Sequence, residues 1–429
     1  MIRSALALVA IGAMAGSLRA QTVAITGGKV YPVNGPPIEG GTVLIRDGKI
    51  AAVGKDVAIP SNAQRVDASG KWVTPGLVNS NTSLGFGDVG FSGGPRELSA
   101  KGHDGIAAGF QVWLGFNTQS TMIAPAREGG ITSVVASPSG GLVSGQAAIV
   151  DLSGALPLND VLVKAPATMI AQIEDNQSAD VGAAGEAIGR LRDLIEDTKA
   201  YMRRKSDFER AQTRPFVGTR RDLEAMIPVV EGREPLTILA DQAAEIREAL
   251  NIAKDYGIKV VILGGAEAWT MADKIAAAKV PVLTGAMNNI PGSFSTLGSR
   301  QENAALLRKA GVQVGIIGNA GGGDEELFNI RNLRYEAGNA VAYGMSWDDA
   351  LRAVTLASAE LFGVADHVGS LQAGREGNVV VWSGDPFEFT SHVEHVFVRG
   401  REYHDTTRQD LLIERYKNLP GSHNLPSAH

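Results

Sequence analysis

The 429-residue chain contains no cysteine. Disulfides, thiolate nucleophiles and cysteine-ligated zinc or iron–sulfur centres are thereby excluded together. Histidine is scarce and displaced: only His103 lies before residue 366, whereas His367, His392, His395, His404, His423 and His429 all follow. A site built on three imidazoles in the central part of the chain is therefore excluded. Aromatic residues make up 6% and charged residues 20%, with a net charge of -6. The basic excess that nucleic-acid recognition requires is missing, and no nucleic-acid partner is expected. After the first twenty residues no run reaches the roughly 18 uninterrupted apolar residues of a membrane helix, so no stable membrane span is expected.

The first twenty residues have a different character. Arg3 precedes the apolar stretch ALALVAIGAMAG at residues 5–16, the pattern of a signal peptide. Cleavage is expected after Ala20, with a cut after Ala15 as the alternative, to release a secreted or periplasmic chain starting at Gln21 in the first case; the other reading of the stretch is an uncleaved membrane anchor. From residue 22 to 73 short β-like runs are broken by turn residues, and Gly27-Gly28 and Asp47-Gly48 read as hairpin signals. Residues 76–365 instead alternate buried strand-like runs (GITSVVASP, LTILA, KVVILGG, VQVGIIGNA) with amphipathic stretches such as AAEIREALNIAKDYG. Repeated many times, this pattern predicts a parallel sheet covered by helices, closed into a barrel. After Val368 the β-signal returns in NVVVWSGDPFEF and VEHVFVRGREY.

The length fits one barrel of roughly 250 residues plus a second core. The expected fold is thus α/β: a TIM-like (β/α)8 barrel over residues 76–365 and a small β-sandwich assembled from residues 21–75 and 366–404. Residues 405–429 are expected to form one short helix (RQDLLIERYKNL) and a mobile tail.

The segments GTVLIRDGKIAAVG, VDASGKWVTPGLVNSNTSLG, TLASAELFGVADHVGSL and SLQAGREGNVVVWSGDPFE, in that order, resemble the amidohydrolase superfamily in its imidazolonepropionase-like branch. The resemblance covers almost the whole chain after residue 20. It implies hydrolysis of C–N bonds by a zinc-like ion at the C-terminal mouth of the barrel, where the metal lowers the pKa of a water to about 7. Members supply a His-x-His pair after strand 1, a histidine after each of strands 5 and 6, an aspartate after strand 8, and sometimes a modified lysine after strand 4.

This chain departs from that pattern at each histidine and at the aspartate. Asn81 and Ser83 stand where the pair belongs, Leu239 takes the strand-5 position, Gly265 lies in the histidine-free end of strand 6, and Asn319 replaces the strand-8 aspartate. An apolar leucine ligates nothing, and an amide does not take up the proton a general base must accept. The expectation is a lost metal centre, with no cofactor unless the site has been rebuilt for a divalent, zinc-like ion. The family's Ala-Asp before the final sandwich strand is Gly377-Asn378 here, a change expected to affect packing only.

Other residues offer chemistry of their own. His103, in a Gly-rich loop after strand 1, is a candidate ligand or base, or simply solvated. Asp241, Glu267, Asp324 and Glu325 are candidates for an all-carboxylate site of the kind magnesium or calcium prefers, or for helix N-terminal acids. Ser144 and Gln146, in GGLVSGQ, do not match a nucleophile elbow and are expected to line the mouth. The loop from Asn319 to Asp324 lacks the Gly-Lys-Ser/Thr of a phosphate cradle. The basic run Arg203-Arg204-Lys205, with Arg214, Arg220 and Arg221, is expected on a solvated helical face.

Three readings of function follow. The first is a metal-free pseudoenzyme acting as a partner subunit or regulator of a metal-competent relative, or as a homo-oligomer. The second is an active hydrolase with a divergent carboxylate site. The third is a periplasmic protein that binds a neutral small molecule in the old pocket.

Overall fold

The computed structural model describes residues 22–87, 97–154, 157–173, 182–287, 290–318 and 329–417. The expected signal peptide, Asn319, Asp324, Glu325 and the end of the tail lie outside the described residues.

The chain opens with β1 (Thr22–Val30), β2 (Ile38–Arg46), β3 (Lys49–Gly54), β4 (Gln64–Asp67) and β5 (Trp72–Pro75). Asp47 and Gly48 make the tight turn between β2 and β3, both at positive φ, 54° and 79°. That is the left-handed geometry a two-residue hairpin asks for. Gly27-Gly28, by contrast, is no hairpin and lies inside β1, at a shift of register between Thr26 and Gly28. The bulge lets one strand serve two partners, because β1 pairs β4 through residues 23–26 and β5 through Lys29 and Val30. A Cβ at Gly28 would stand 2.7 Å from the Val73 side chain, so the crossing leaves no room for one.

The barrel strands follow: β6 (Leu77–Thr82), β7 (Ile131–Ala136), β8 (Val143–Asp151), β9 (Leu162–Gln172), β10 (Leu236–Ala240), β11 (Val260–Gly264), β12 (Val282–Thr284) and β13 (Val314–Ile316). They hydrogen-bond in sequence order from β6 to β13, and Asn79 Oδ1 of the first strand accepts from Gly318 N, 3.2 Å away, just past the last. This is the expected TIM-like barrel, with one difference. The third strand, β8, is antiparallel to both of its neighbours. The cause is the length of the chain on either side: no helix lies between β7 and β8, and only one 3-10 turn (Leu158–Asp160) lies between β8 and β9. Such connections are too short to carry the chain back across the barrel for a parallel pairing.

Finally β14 (Val379–Trp382), β15 (Val393–Val398) and β16 (Arg401–Tyr403) join the first sheet through the β14–β5 pairing. The second body is therefore built from both chain ends, around Val23, Ile25, Val43, Ile45, Val379 and Phe397. A helix, Arg408–Tyr416, follows with its Thr407–Asp410 capping box. Among the described residues, no helix is long and apolar enough to cross a membrane.

The barrel interior is filled by Val78, Val135, Ile149, Ile170, Val261 and Leu283 among others, and its floor by Ala359, Phe362, Val364 and Val368, from the helix Leu356–Leu361 and the turn after it. The basic helical face is largely answered by acids: Lys205 and Arg220 both pair with Glu224, and Arg214 with Asp197.

Barrel and sandwich are joined through a buried polar network. Asp151, 1% exposed, accepts from Ser133 Oγ at 2.5 Å, Asn378 Nδ2 at 3.2 Å and Arg399 Nε at 2.8 Å. Asn378 Oδ1 in turn accepts from Arg399 N at 2.7 Å. The asparagine expected to matter only for packing is thus a hydrogen-bond donor to a buried carboxylate. An aspartate there would set two carboxylates against each other away from water. Asn378→Asp is expected to lower the unfolding free energy by about 2–4 kcal/mol, and adding Asp151→Asn to recover a good part of the loss. Urea titration of the two variants and the double variant checks this, and an additive double variant would contradict it.

Candidate functional site

The mouth of the barrel lies at the C-terminal ends of β6, β7 and β9–β13 and the N-terminal end of β8. Asn81 and Ser83 are half-buried at the end of β6. Beneath them Asn79 and Ser80 are fully buried, and among the described residues Asn79 Nδ2 and Ser80 Oγ have no hydrogen-bond partner. Leu239 packs on the apolar interior of the barrel. At the position where the resemblance places a metal ligand there is thus a partly buried alkyl side chain.

At the end of β11, Gly265 sits at φ 67°, a conformation that side-chain-bearing residues rarely adopt. A Cβ there would lie 3.2 Å from both Ala268 Cβ and Val282 Cγ1. The backbone itself therefore disfavours an imidazole at this position. Gly264, next to it, has φ 89°, and a Cβ would come within 2.5 Å of Asp241 Oδ1.

Ser144 and Gln146 are buried on β8 at the mouth end. Gln146 Nε2 donates to Ala108 O at 3.2 Å, and its backbone N–H to Phe110 O at 2.8 Å. Ser144 Oγ accepts from Gln172 Nε2 at 3.4 Å. Gln172, which ends β9, was not singled out by any motif and brings a second amide to this side of the mouth. His103 stands apart: its side chain is 66% exposed and its Nδ1 lies 3.4 Å from the Asp104 carboxylate. Among the described residues it shares no hydrogen bond or ion pair with the other candidates.

The carboxylates are occupied by the backbone. Asp241 Oδ1 accepts from Ala266 N at 3.0 Å, and Glu267 Oε2 from Ala243 N at 2.8 Å, at the start of the helix Ala243–Tyr256. Glu245, in that helix's first turn, accepts from both Asp241 N and Gln242 N at 3.0 Å. Burial pushes the Asp241 and Glu245 carboxyls above their ordinary values, and the backbone N–H groups partly offset it. Two further side chains extend the stitching to the next loops. Asn303 Nδ2 donates to Gly265 O at 3.0 Å, and Glu336 Oε2 accepts from Ala286 N and Met287 N at 2.6 Å. Asp241 and Glu267 thus brace the loops after β10 and β11.

The residues at the family's ligand positions do not fit a zinc-like ion. They offer an amide, a hydroxyl, an alkyl group and a glycine, and among the described residues no three His, Asp or Glu side chains come together to hold a metal.

Known proteins place this geometry. Residues 266–403 match the model of the amidohydrolase family. An imidazolonepropionase of Acidiphilium cryptum is 25% identical over 378 residues, covering 82% of this chain and 89% of that protein. A dihydroorotase of Anaeromyxobacter is 29% identical over 214 residues, covering 46% and 42%. The solved structure of an amidohydrolase from Thermotoga maritima superposes with a TM-score of 0.79 at 27% identity, over 90% of this chain and all of that one. A molinate hydrolase structure, 20% identical with a TM-score of 0.55, shares the fold over 90% of this chain. In sequence and in architecture, the chain belongs to the amidohydrolase superfamily, in its imidazolonepropionase-like branch.

Proposed function

We propose that this protein is an exported, metal-free pseudoenzyme of the amidohydrolase superfamily whose barrel mouth binds a neutral polar small molecule. The observation that carries the reading is Leu239: the strand-5 ligand position is an alkyl side chain packed on the barrel core. Around it the mouth offers the amides and hydroxyls of Asn81, Ser83, Ser144 and Gln172, groups that donate and accept hydrogen bonds without bearing charge. The carboxylates that an alternative metal site would need already accept backbone N–H groups. Export rests on the first twenty residues of the sequence.

A partner role beside a metal-competent relative is the second reading. It is favoured by apolar side chains on loops at the mouth, with Leu114 68%, Ile290 61%, Phe294 92% and Leu297 60% exposed.

Two experiments test the proposal. A panel of amides and lactams is screened by thermal unfolding and by hydrolysis. Stabilisation by about 2–3 kcal/mol is expected at a hundredfold excess over Kd. It should be lost on Asn81→Trp, with no turnover above background. Turnover that a chelator abolishes would overturn the reading. The second experiment is Asp241→Asn. If the carboxylate braces the loops, the substitution lowers stability by about 1–3 kcal/mol; loss of a hydrolytic activity at unchanged stability would point to the carboxylate-site enzyme instead.

A further inference from the structure

Charge is unevenly spread along this chain. The net charge is -6, yet residues 199–221 hold eight basic side chains and two acidic ones. They cover the end of the helix Ala184–Arg203, the short helix Lys205–Glu209 and the start of the helix Arg220–Val230. Carboxylates answer this face only in part. Arg204 and Arg210 share Asp207, Lys205 and Arg220 share Glu224, and Arg214 holds Asp197, so five cations meet three acids. Arg203 and Arg221 are exposed, and among the described residues neither has an ion pair. The paired guanidinium groups are open to water as well, since the side chains of Arg204, Arg210, Arg214 and Arg220 are 58%, 62%, 62% and 60% exposed. Ion pairs this exposed are held weakly, so these cations exchange a carboxylate for an outside anion at little cost.

The composition of the face narrows the partner. Its cations are distributed over three helices and the loop between them, an arrangement that suits an extended array of anions better than a single small one. Its aromatic rings are used internally: Tyr201 packs on Phe208 and Phe208 on Phe216, with centroids 5.1 and 5.3 Å apart, and Arg214 lies over Phe216. The bases of a nucleic-acid strand therefore find no free ring platform. Met202 is 40% exposed among the cations, an apolar group that a lipid interface accepts between its headgroups.

We propose that the face formed by residues 199–221 docks the protein on an anionic phospholipid surface, with its cations on the headgroup phosphates and Met202 at the edge of the acyl layer. Each lysine or arginine close to such a surface adds to the attraction, and salt weakens it. The docking is independent of what the barrel mouth binds.

The test is co-sedimentation of the full-length protein with vesicles of phosphatidylcholine, alone or mixed with phosphatidylglycerol, at about 0.1 M and about 0.5 M salt. Binding is expected on the mixed vesicles at the lower salt, and should fall by about tenfold or more on pure phosphatidylcholine and at the higher salt. Arg203→Glu with Arg221→Glu should weaken binding to the mixed vesicles by about tenfold or more, and the milder Arg203→Gln with Arg221→Gln by several-fold. Lys55→Glu with Arg65→Glu, an equal reversal of charge at exposed positions of the sandwich, should leave binding nearly unchanged. The apolar stretch at residues 5–16 is common to all variants and meets both kinds of vesicle, so it does not produce these differences. Equal binding to both vesicle types, or equal losses in the two charge-reversed variants, would overturn the proposal. Displacement by millimolar inorganic phosphate at constant ionic strength, the mark of a single-ion site, would overturn it too, as would capture of duplex DNA without vesicle binding.

Discussion

Closing eight strands into a barrel leaves an interior only wide enough for side chains, and that interior must be filled. In this protein the filling runs from Phe362 and Val364 at the floor up to Leu239 at the mouth, as one apolar cluster with others partly buried against it. The chemistry of the mouth follows from where that cluster ends. Leu239, on the fifth strand, packs partly buried against that cluster at the position where the resemblance would place a ligand. The polar side chains beside it are those of Asn81 and Ser83, half-buried at the end of β6, and of Gln172, bonded to the buried Ser144. Gly265, at positive φ against Ala268 and Val282, removes another ligand position by backbone geometry as well as by chemistry.

The described parts of the loops after β10, β11 and β12 are held by polar contacts. Carboxylates and amides of Asp241, Glu245, Glu267, Asn303 and Glu336 bind backbone groups across neighbouring βα loops. Loops of a barrel are where function is normally grafted, and here their buried backbone polar groups are satisfied by side chains. The junction with the sandwich follows the same logic. Asp151 is buried with donors from Ser133, Asn378 and Arg399. Arg127 ties the end of β16 to the barrel through a bidentate pair with Asp405, at 2.6 and 2.7 Å, and a bond to Leu152 O.

Much of this was legible in the residues, in proportion to how local the signal was. The βα alternation and the paired β-rich ends announced the architecture, and Asp47-Gly48 announced its turn, because each depends on near neighbours in sequence. At Asn81, Ser83 and Leu239 the sequence departs, position by position, from the ligand pattern that the resemblance implies. What escaped depends on distant contacts. Gly27-Gly28 looked like a turn, and only the switch of β1 between two partners makes it a bulge. The reversal of β8 follows from two short connections whose meaning is clear once the pairing is known. Glu336 and Asn303 act on backbone groups 50 and 38 residues away, and no motif marks them. Asn378 was read as a packing change, since the carboxylate that it serves is 227 residues distant.

The proposed function requires that apolar core and neutral lining stand in this barrel where the family's metal site would be. The most direct measurement is elemental analysis of the purified full-length protein after incubation with zinc and removal of the excess by desalting. The structure predicts retention of far less than stoichiometric metal, below about 0.1 ion per chain. Retention of about one ion per chain, lost on Asp241→Ala, would contradict it.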